Sequence, residues 1–232
     1  MALVAEMNAT PRSADKASAP AHQVVYRRLR EQILFGELAP GQSVTIQGLS
    51  DGMNAGVTPV REAIRRLTSE GALEFMGNRR VAVPMLSLGN IDEMIIARGA
   101  LEPELARRAA KLATKSDIEN LTQLDDFLDV AIETGDLAAY LETNYRFHAM
   151  IYDIADAPLL TQIVDGMWLR FGPSLRVVCG RIGTQNLPDK HKELLDAMRA
   201  NDSDAAANAL LGDVMQGLEQ VRAVLEISDL LS

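Results

Sequence analysis

The chain has 232 residues, 47% of them apolar, with 23 Lys/Arg against 32 Asp/Glu and a formal net charge of −9; this suits one small and one larger domain, each with its own core. No apolar run reaches the roughly 20 residues that a membrane-spanning helix needs, and the amino terminus, with Glu6 and no sustained apolar stretch, is a poor secretory signal. A single cysteine, Cys179, excludes an intrachain disulfide and a cysteine metal site and fits a reducing, cytoplasmic setting.

Residues 1–21, rich in Ala, Ser and Pro, read as a disordered tail. Val25, Leu29 and Ile33 then recur at intervals of four, predicting a first helix that stops at Gly36 ahead of the Pro40-Gly41 turn. A second short helix is expected around 46–51, before a loop with glycines at 52 and 56. Next comes Thr58-Pro59-Val60-Arg61-Glu62-Ala63-Ile64-Arg65-Arg66-Leu67. Here Thr58 is the expected N-cap, Pro59 the first helical residue and Gly71 the end. Val60, Ile64 and Leu67 share one apolar stripe. Arg61 and Arg65, one turn apart, project from another side, either toward solvent or toward phosphates and base edges. Ala72 to Phe75 and Val81 to Val83 read as two short strands joined by the basic turn Gly77-Asn78-Arg79-Arg80. Helix, turn, helix and a two-stranded wing is the order of a winged helix-turn-helix.

Charge divides the chain at the same place. Residues 22–84 hold eight Lys/Arg and six Asp/Glu, a net of +2, whereas 85–232 hold thirteen and twenty-four, a net of −11. The overall negative charge therefore does not argue against a nucleic-acid partner for the first part, and it keeps the second part off DNA. From about Ser87 onward the periodicity is helical, with breaks near Thr114-Lys115-Ser116, Thr134-Gly135-Asp136, Ala157-Pro158, Gly183 to Pro188 and Asn201-Asp202. Six or seven helices follow, with no alternating run long enough for a sheet. The expected fold is mainly α: a tail (1–21), a winged helix-turn-helix (22–84) and an all-helical bundle (85–232).

Leu38-x-Pro40-Gly41, Thr58-Pro59-Val60-Arg61-Glu62-Ala63 and Glu70-Gly71-Ala72-Leu73 resemble the GntR-type bacterial transcription regulators over residues 22–84. Arg98-x-x-Leu101-Glu102, Phe147-His148 and His191, each on its own helix, resemble the FadR branch with its helical, FCD-type effector domain. The resemblance implies a cytoplasmic, non-enzymatic regulator. As a homodimer it would bind a near-palindromic double-stranded DNA operator, its recognition helices entering major grooves about one helical turn apart. Arg61 matches the family position that reaches into the groove, assisted by Thr58, Arg65 and the wing residues Asn78, Arg79 and Arg80. Two departures remove expected DNA contacts: Gly56-Val57 stands where the family usually shows Ser-Arg, and Gln47 where it often has Arg.

The same resemblance implies a divalent metal in the bundle, zinc in the first place, with nickel or iron as alternatives. His148 and His191 fall on family ligand positions; Asn144 stands in place of an Asp and Asp213 in place of a His. Asn144 and His148 share a helix face with Leu141, Tyr145 and Tyr152, His191 shares one with Leu187, Leu194, Leu195 and Met198, and Asp213 sits beside Leu210 and Val214. Buried polar groups need partners, and either an ion or one another would serve. Arg98 lies on the stripe Met94, Arg98, Leu101, Leu105 and needs a carboxylate, from Glu102, from Asp213 or from a bound effector. The resemblance favours a small organic acid there. Trp168, Arg170, Arg176 and Arg181 are secondary candidates for this pocket; read by position alone, Trp168 is core and the arginines are surface. Two other readings stay open: a metal-dependent helical-bundle enzyme, and a protein-interaction adaptor with a degenerate DNA-binding module.

Overall fold

The computed structural model describes residues 20–182 and 190–230; the expected tail as far as residue 19, Leu187 and the break at 183–188 lie outside the described residues. Helix α1 (Ala21–Leu34) starts on Pro20, whose carbonyl accepts from the N–H groups of Gln23 and Val24 at 2.8 and 3.2 Å. Ala21 therefore belongs to the helix and not to the tail. The helix buries Val25, Leu29 and Ile33 and gives way at Gly36, whose φ of +67° suits a residue without Cβ.

A short strand β1 (Ser43–Thr45) leads into α2 (Ile46–Met53), capped by the Thr45 hydroxyl, which accepts from Gly48 N–H at 2.9 Å. Helix α3 (Val57–Ser69) begins two residues earlier than expected. Its N-cap is Gly56 without a side-chain bond, and Thr58 and Pro59 are its second and third residues. Pro59 is harmless there because the first N–H groups of a helix have no intrahelical acceptor. Gly71, at φ +74°, donates to Thr68 O and closes the helix. The N–H groups of Ala72 and Leu73 turn back to Leu67 O, so the wing strand β2 (Glu74–Gly77) starts two residues later than its sequence suggests. Strand β3 (Arg80–Ala82) runs antiparallel to both neighbours in the order β1-β3-β2.

Among the described residues six helices follow: α4 (Leu88–Leu112), α5 (Lys115–Thr134), α6 (Leu137–Ile154), α7 (Pro158–Ile182), α8 (Lys190–Arg199) and α9 (Ser203–Leu230). Reciprocal capping boxes, Ser87 with Asn90 and Thr114 with Asp117, start α4 and α5. Helix α9 packs along α4 and α8, and α5 along α6. Fully buried Leu29, Ile33, Ile64 and Leu67 knit α1 to α3, each side chain contributing about 1.5–3 kcal/mol of burial. The apolar core continues from there into the bundle as one cluster. Helix α7 is the seat: a Cβ at Gly172 would lie 2.2 Å from the Leu34 carbonyl oxygen, and Arg176 Nη1 donates to Phe35 O at 3.3 Å. Among the described residues no helix is long and apolar enough to cross a membrane.

Candidate functional site

The amino-terminal face is built by packing one side of α3 and leaving the other in water. Val60, Ala63, Ile64 and Leu67 are buried; Thr58, Arg61 and Arg65 are exposed. Arg66 behaves differently from its neighbours. It pairs with Glu70 at 2.9 Å and lies over the Tyr26 ring at 3.8 Å, so its charge is held inside the module. Arg61 and Arg65 form no ion pair among the described residues.

At the wing tip, Asn78 and Arg79 both have positive φ, 47° and 59°, the geometry of a tight hairpin turn whose twist matches its strands. An arginine adopts this conformation at a cost, and here the Arg79 carbonyl is held by the N–H of Ile46 at 3.2 Å, tying the tip to the start of α2. Asn78, Arg79 and Arg80 are exposed. Gln47 is exposed as well and spends its amide on Asp51 at 2.8 Å.

The second site is a polar centre enclosed by the bundle. Asn144 and His148 on α6 are buried one turn apart, His191 on α8 is buried, and Asp213 on α9 closes the group with its side chain 21% exposed. One ligand atom each from His148, His191 and Asp213 lie within 4.8 Å of one another. His148 Nε2 is 3.0 Å from Asp213 Oδ2, and His191 Nε2 is 3.7 Å from Asp213 Oδ1. Ligands held roughly 2.1 Å from a zinc-sized ion sit about 3.4 Å apart, between the two separations to Asp213.

The other nitrogen of each ring is anchored. His191 Nδ1 lies 3.2 Å from Asp125 Oδ1, and the ring stacks on Phe147 at 4.0 Å. His148 Nδ1 lies 3.3 Å from Tyr152 Oη, which donates to Glu102 at 2.6 Å and accepts from Trp168 Nε1 at 3.2 Å. Outer groups of this kind fix the orientation of a ligating imidazole. They turn both Nε2 atoms toward Asp213. His148 Nε2 is buried with no hydrogen bond of proper geometry, which suits a metal-ligating nitrogen. Burial pushes the Asp213 carboxyl up, but the His191 and His148 imidazoles and the Arg98 guanidinium pull harder, and its pKa falls to about 2. An anionic oxygen is thus ready at neutral pH, and the donor set of two imidazoles, one carboxylate and the adjacent Asn144 amide fits a divalent metal.

Arg98, fully buried, pairs through Nε with Glu102 one turn along α4. It lies over the rings of Trp168 at 4.6 Å and Phe171 at 4.8 Å. Its Nη1 is buried without a hydrogen-bond partner. Arg98, Asn144, His148, Trp168 and Asp213 line one cavity of about 40 Å³, room for an ion with a water or two. Trp168 fits both of its expected readings, a core residue and a wall of this cavity. Of the expected surface arginines, Arg170 is exposed and Arg176 half-buried; the Arg181 side chain lies outside the described residues. Sequence reading missed Asp125, although Leu121, Asp125 and Leu128 form a buried stripe in which a carboxylate is as anomalous as Arg98 is in α4. His22 is far from the centre, exposed beside Glu62.

Comparison with known proteins agrees with this division of labour. Residues 21–83 match the model of bacterial regulatory proteins of the gntR family, and residues 93–214 match the FCD domain. The chain is 29% identical over 191 residues to the HTH-type transcriptional regulator McbR of Escherichia coli K12, covering 81% of this chain and 86% of that protein. It is 27% identical to the HTH-type transcriptional repressor RspR of the same organism, covering 88% and 90%. The solved structure of E. coli McbR/YncC superposes with a TM-score of 0.81 at 27% identity, over 90% of this chain and 99% of that one. These relatives are transcriptional regulators and not enzymes, which removes the metal-dependent enzyme as a reading of the polar centre. An exposed basic helix and wing on a buried polar bundle are therefore the two halves of a DNA-binding transcriptional regulator, and the chain belongs to the GntR family, in the branch that carries an FCD domain.

Proposed function

We propose that the protein is a metabolite-responsive regulator in which residues 22–84 read DNA and residues 85–232 form the ligand-binding and dimerisation domain. Two copies would set a pair of α3 helices in successive major grooves of a near-palindromic operator. Arg61 is the base-reading residue, because it is exposed, free of internal pairing and central on the open face of α3. Thr58, Arg65, Asn78, Arg79 and Arg80 flank it and position the duplex through its phosphates. With Gly56, Val57 and Gln47 offering no cation, this set carries the recognition.

In the bundle, His148, His191 and Asp213, with Asn144 beside them, hold a divalent ion, zinc by the chemistry of the donors. The bound ion supplies a positive centre for an anionic oxygen. Arg98 Nη1, facing the same cavity, takes a second oxygen of a small carboxylate effector. The cavity of about 40 Å³ is too small for a multi-carbon acid, so the effector enters by displacing side chains at the rim, such as Gln216 and Gln220. The observation that carries this reading is the pair of anchored imidazoles whose Nε2 atoms converge on one carboxylate. The cell compartment that suits it is the cytoplasm, where operator DNA and reduced Cys179 coexist.

The test is binding to the protein's own upstream DNA and to random DNA of equal length, at defined salt, before and after chelation. A preference for upstream DNA and one equivalent of metal per chain are expected. Equal affinity for both DNAs overturns the operator reading in favour of an adaptor, and absence of stoichiometric metal after mild purification overturns the coordination.

A further inference from the structure

Helix α7 serves two neighbours at once. Trp168, Phe171 and Leu175 wall the cavity of the polar centre, while Asp165, Gly172 and Arg176 meet α1 of the DNA-reading module. Between these faces runs an unbroken set of contacts. The Trp168 ring lies 5.2 Å from that of His148 and beneath the Arg98 guanidinium. Its other side meets Tyr145 edge-on at 5.6 Å. Tyr145 Oη donates to Asp165 Oδ1 at 2.6 Å, and Asp165 Oδ2 accepts from Arg30 Nη2 on α1. Arg30 Nη2 also reaches Tyr145 Oη at 3.4 Å, closing a triangle.

Two features distinguish this triangle from ordinary adhesion. An ion pair at a partly buried seam adds little net stability, since desolvation offsets attraction, but it fixes one geometry against others. Here the Arg30 side chain is only 17% exposed and that of Asp165 38%, while apolar side chains at those places would glue α1 to α7 as well. The seam is tight at Gly172 and open on its other side. A cleft of about 420 Å³ opens between α1, α3 and α7, bordered by Tyr26, Arg66, Glu70 and Asp165. On the cleft side the module has space to tilt, with the contact of Gly172 and the Leu34 carbonyl as its pivot.

We propose that Arg30, Tyr145 and Asp165 are positioning residues through which occupancy of the His148–His191–Asp213 centre sets the angle of the DNA-reading module on the bundle. The proposal rests on the metal reading of that centre. Movement of His148 toward an ion, or of Arg98 toward an acid, shifts the Trp168 ring wedged between them and Tyr145. Tyr145 then changes its share of Asp165, and Arg30 carries the change into α1 and the α3 helix packed on it. Coupling of this kind is reciprocal: DNA binding changes metal affinity by the same factor.

The full-length protein can be tested with zinc as the probe, labelled upstream DNA, and Trp168, the chain's only tryptophan, as an internal reporter. In the wild type, zinc is expected to change DNA affinity about fivefold or more, and added DNA to shift Trp168 emission. Asp165→Asn and Tyr145→Phe are expected to keep their unfolding midpoint and their zinc stoichiometry. Both should still bind DNA, with the zinc effect cut below about twofold and the emission response to DNA lost. A merely structural role would lower the unfolding midpoint and leave the zinc effect intact. Zinc that binds every form and shifts DNA affinity equally in all three overturns the relay, as does zinc that binds the wild type with no effect on DNA. Both results leave the metal reading standing. Zinc that fails to bind the wild type removes the metal reading and the relay together. Should Asp165→Asn unfold, Tyr145→Phe, which keeps the ring and loses one hydroxyl, decides between them.

Discussion

The two halves of the molecule treat charge in opposite ways. In the amino-terminal module Arg61, Arg65, Arg79 and Arg80 stand in water and leave the packing to Val60, Ile64, Leu67 and Val81. In the bundle Arg98, Glu102, Asp125, His148 and His191 are taken out of water and woven into the core. Exposed charge acts at a distance, is screened by salt and can be removed without harm to the fold. Buried charge acts at contact range, is insensitive to salt and is inseparable from the fold. A surface that must meet many DNA sequences and keep only one uses the first kind. A pocket that must hold a small ligand in one pose uses the second.

This contrast can be broken most forcefully at Glu102. Its loss leaves Arg98 buried with an uncompensated charge and Tyr152 without an acceptor, so Glu102→Ala is expected to lower stability by about 3–5 kcal/mol in denaturant unfolding. An unchanged midpoint would mean that the Arg98 pair is not the buried structural unit it looks like. Arg61→Ala should behave in the converse manner. Operator affinity is expected to fall by about 1–3 kcal/mol with no change in unfolding, and affinity for random DNA should fall much less. Asp125→Ala tests whether the outer carboxylate orients His191: zinc affinity, by competition with a chromophoric chelator, should drop roughly 10- to 100-fold. The smallest effect is expected at the wing. Arg80→Ala should reduce the slope of log affinity against log salt by about one, with operator preference kept. A loss of preference there would move Arg80 from backbone positioning to base reading.

The contrast also explains what could be read from the chain without coordinates. Helix α3 was legible because its apolar stripe and its basic side are both periodic, and the polar centre because Arg98, His148 and His191 interrupt apolar stripes. Its exact start was not legible, since Gly56 caps by backbone alone and Thr58 mimics the usual cap residue. Strand β1 spans only Ser43–Thr45, too short for alternation to register. Asp125 carried the same signal as Arg98 and went unnoticed in a helix dense with acids. Arg30 and Asp165 carried none: each looks like an ordinary surface charge, and 135 residues separate them. Contacts between halves leave little trace in local patterns, and the proposed relay is made of such contacts.

Gly172 shows how small the determinant of that arrangement is. The Leu34 carbonyl rests where a methyl group would be, 2.2 Å from the position of a Cβ. Any side chain at 172 is a wedge driven under the end of α1. Because α1 and α3 are knit by Leu29, Ile33, Ile64 and Leu67, the wedge would not loosen one helix but tilt the whole reading head, as a shim under one foot tilts a table. The tilt of α3 is set, some distance away, by an atom the chain does without.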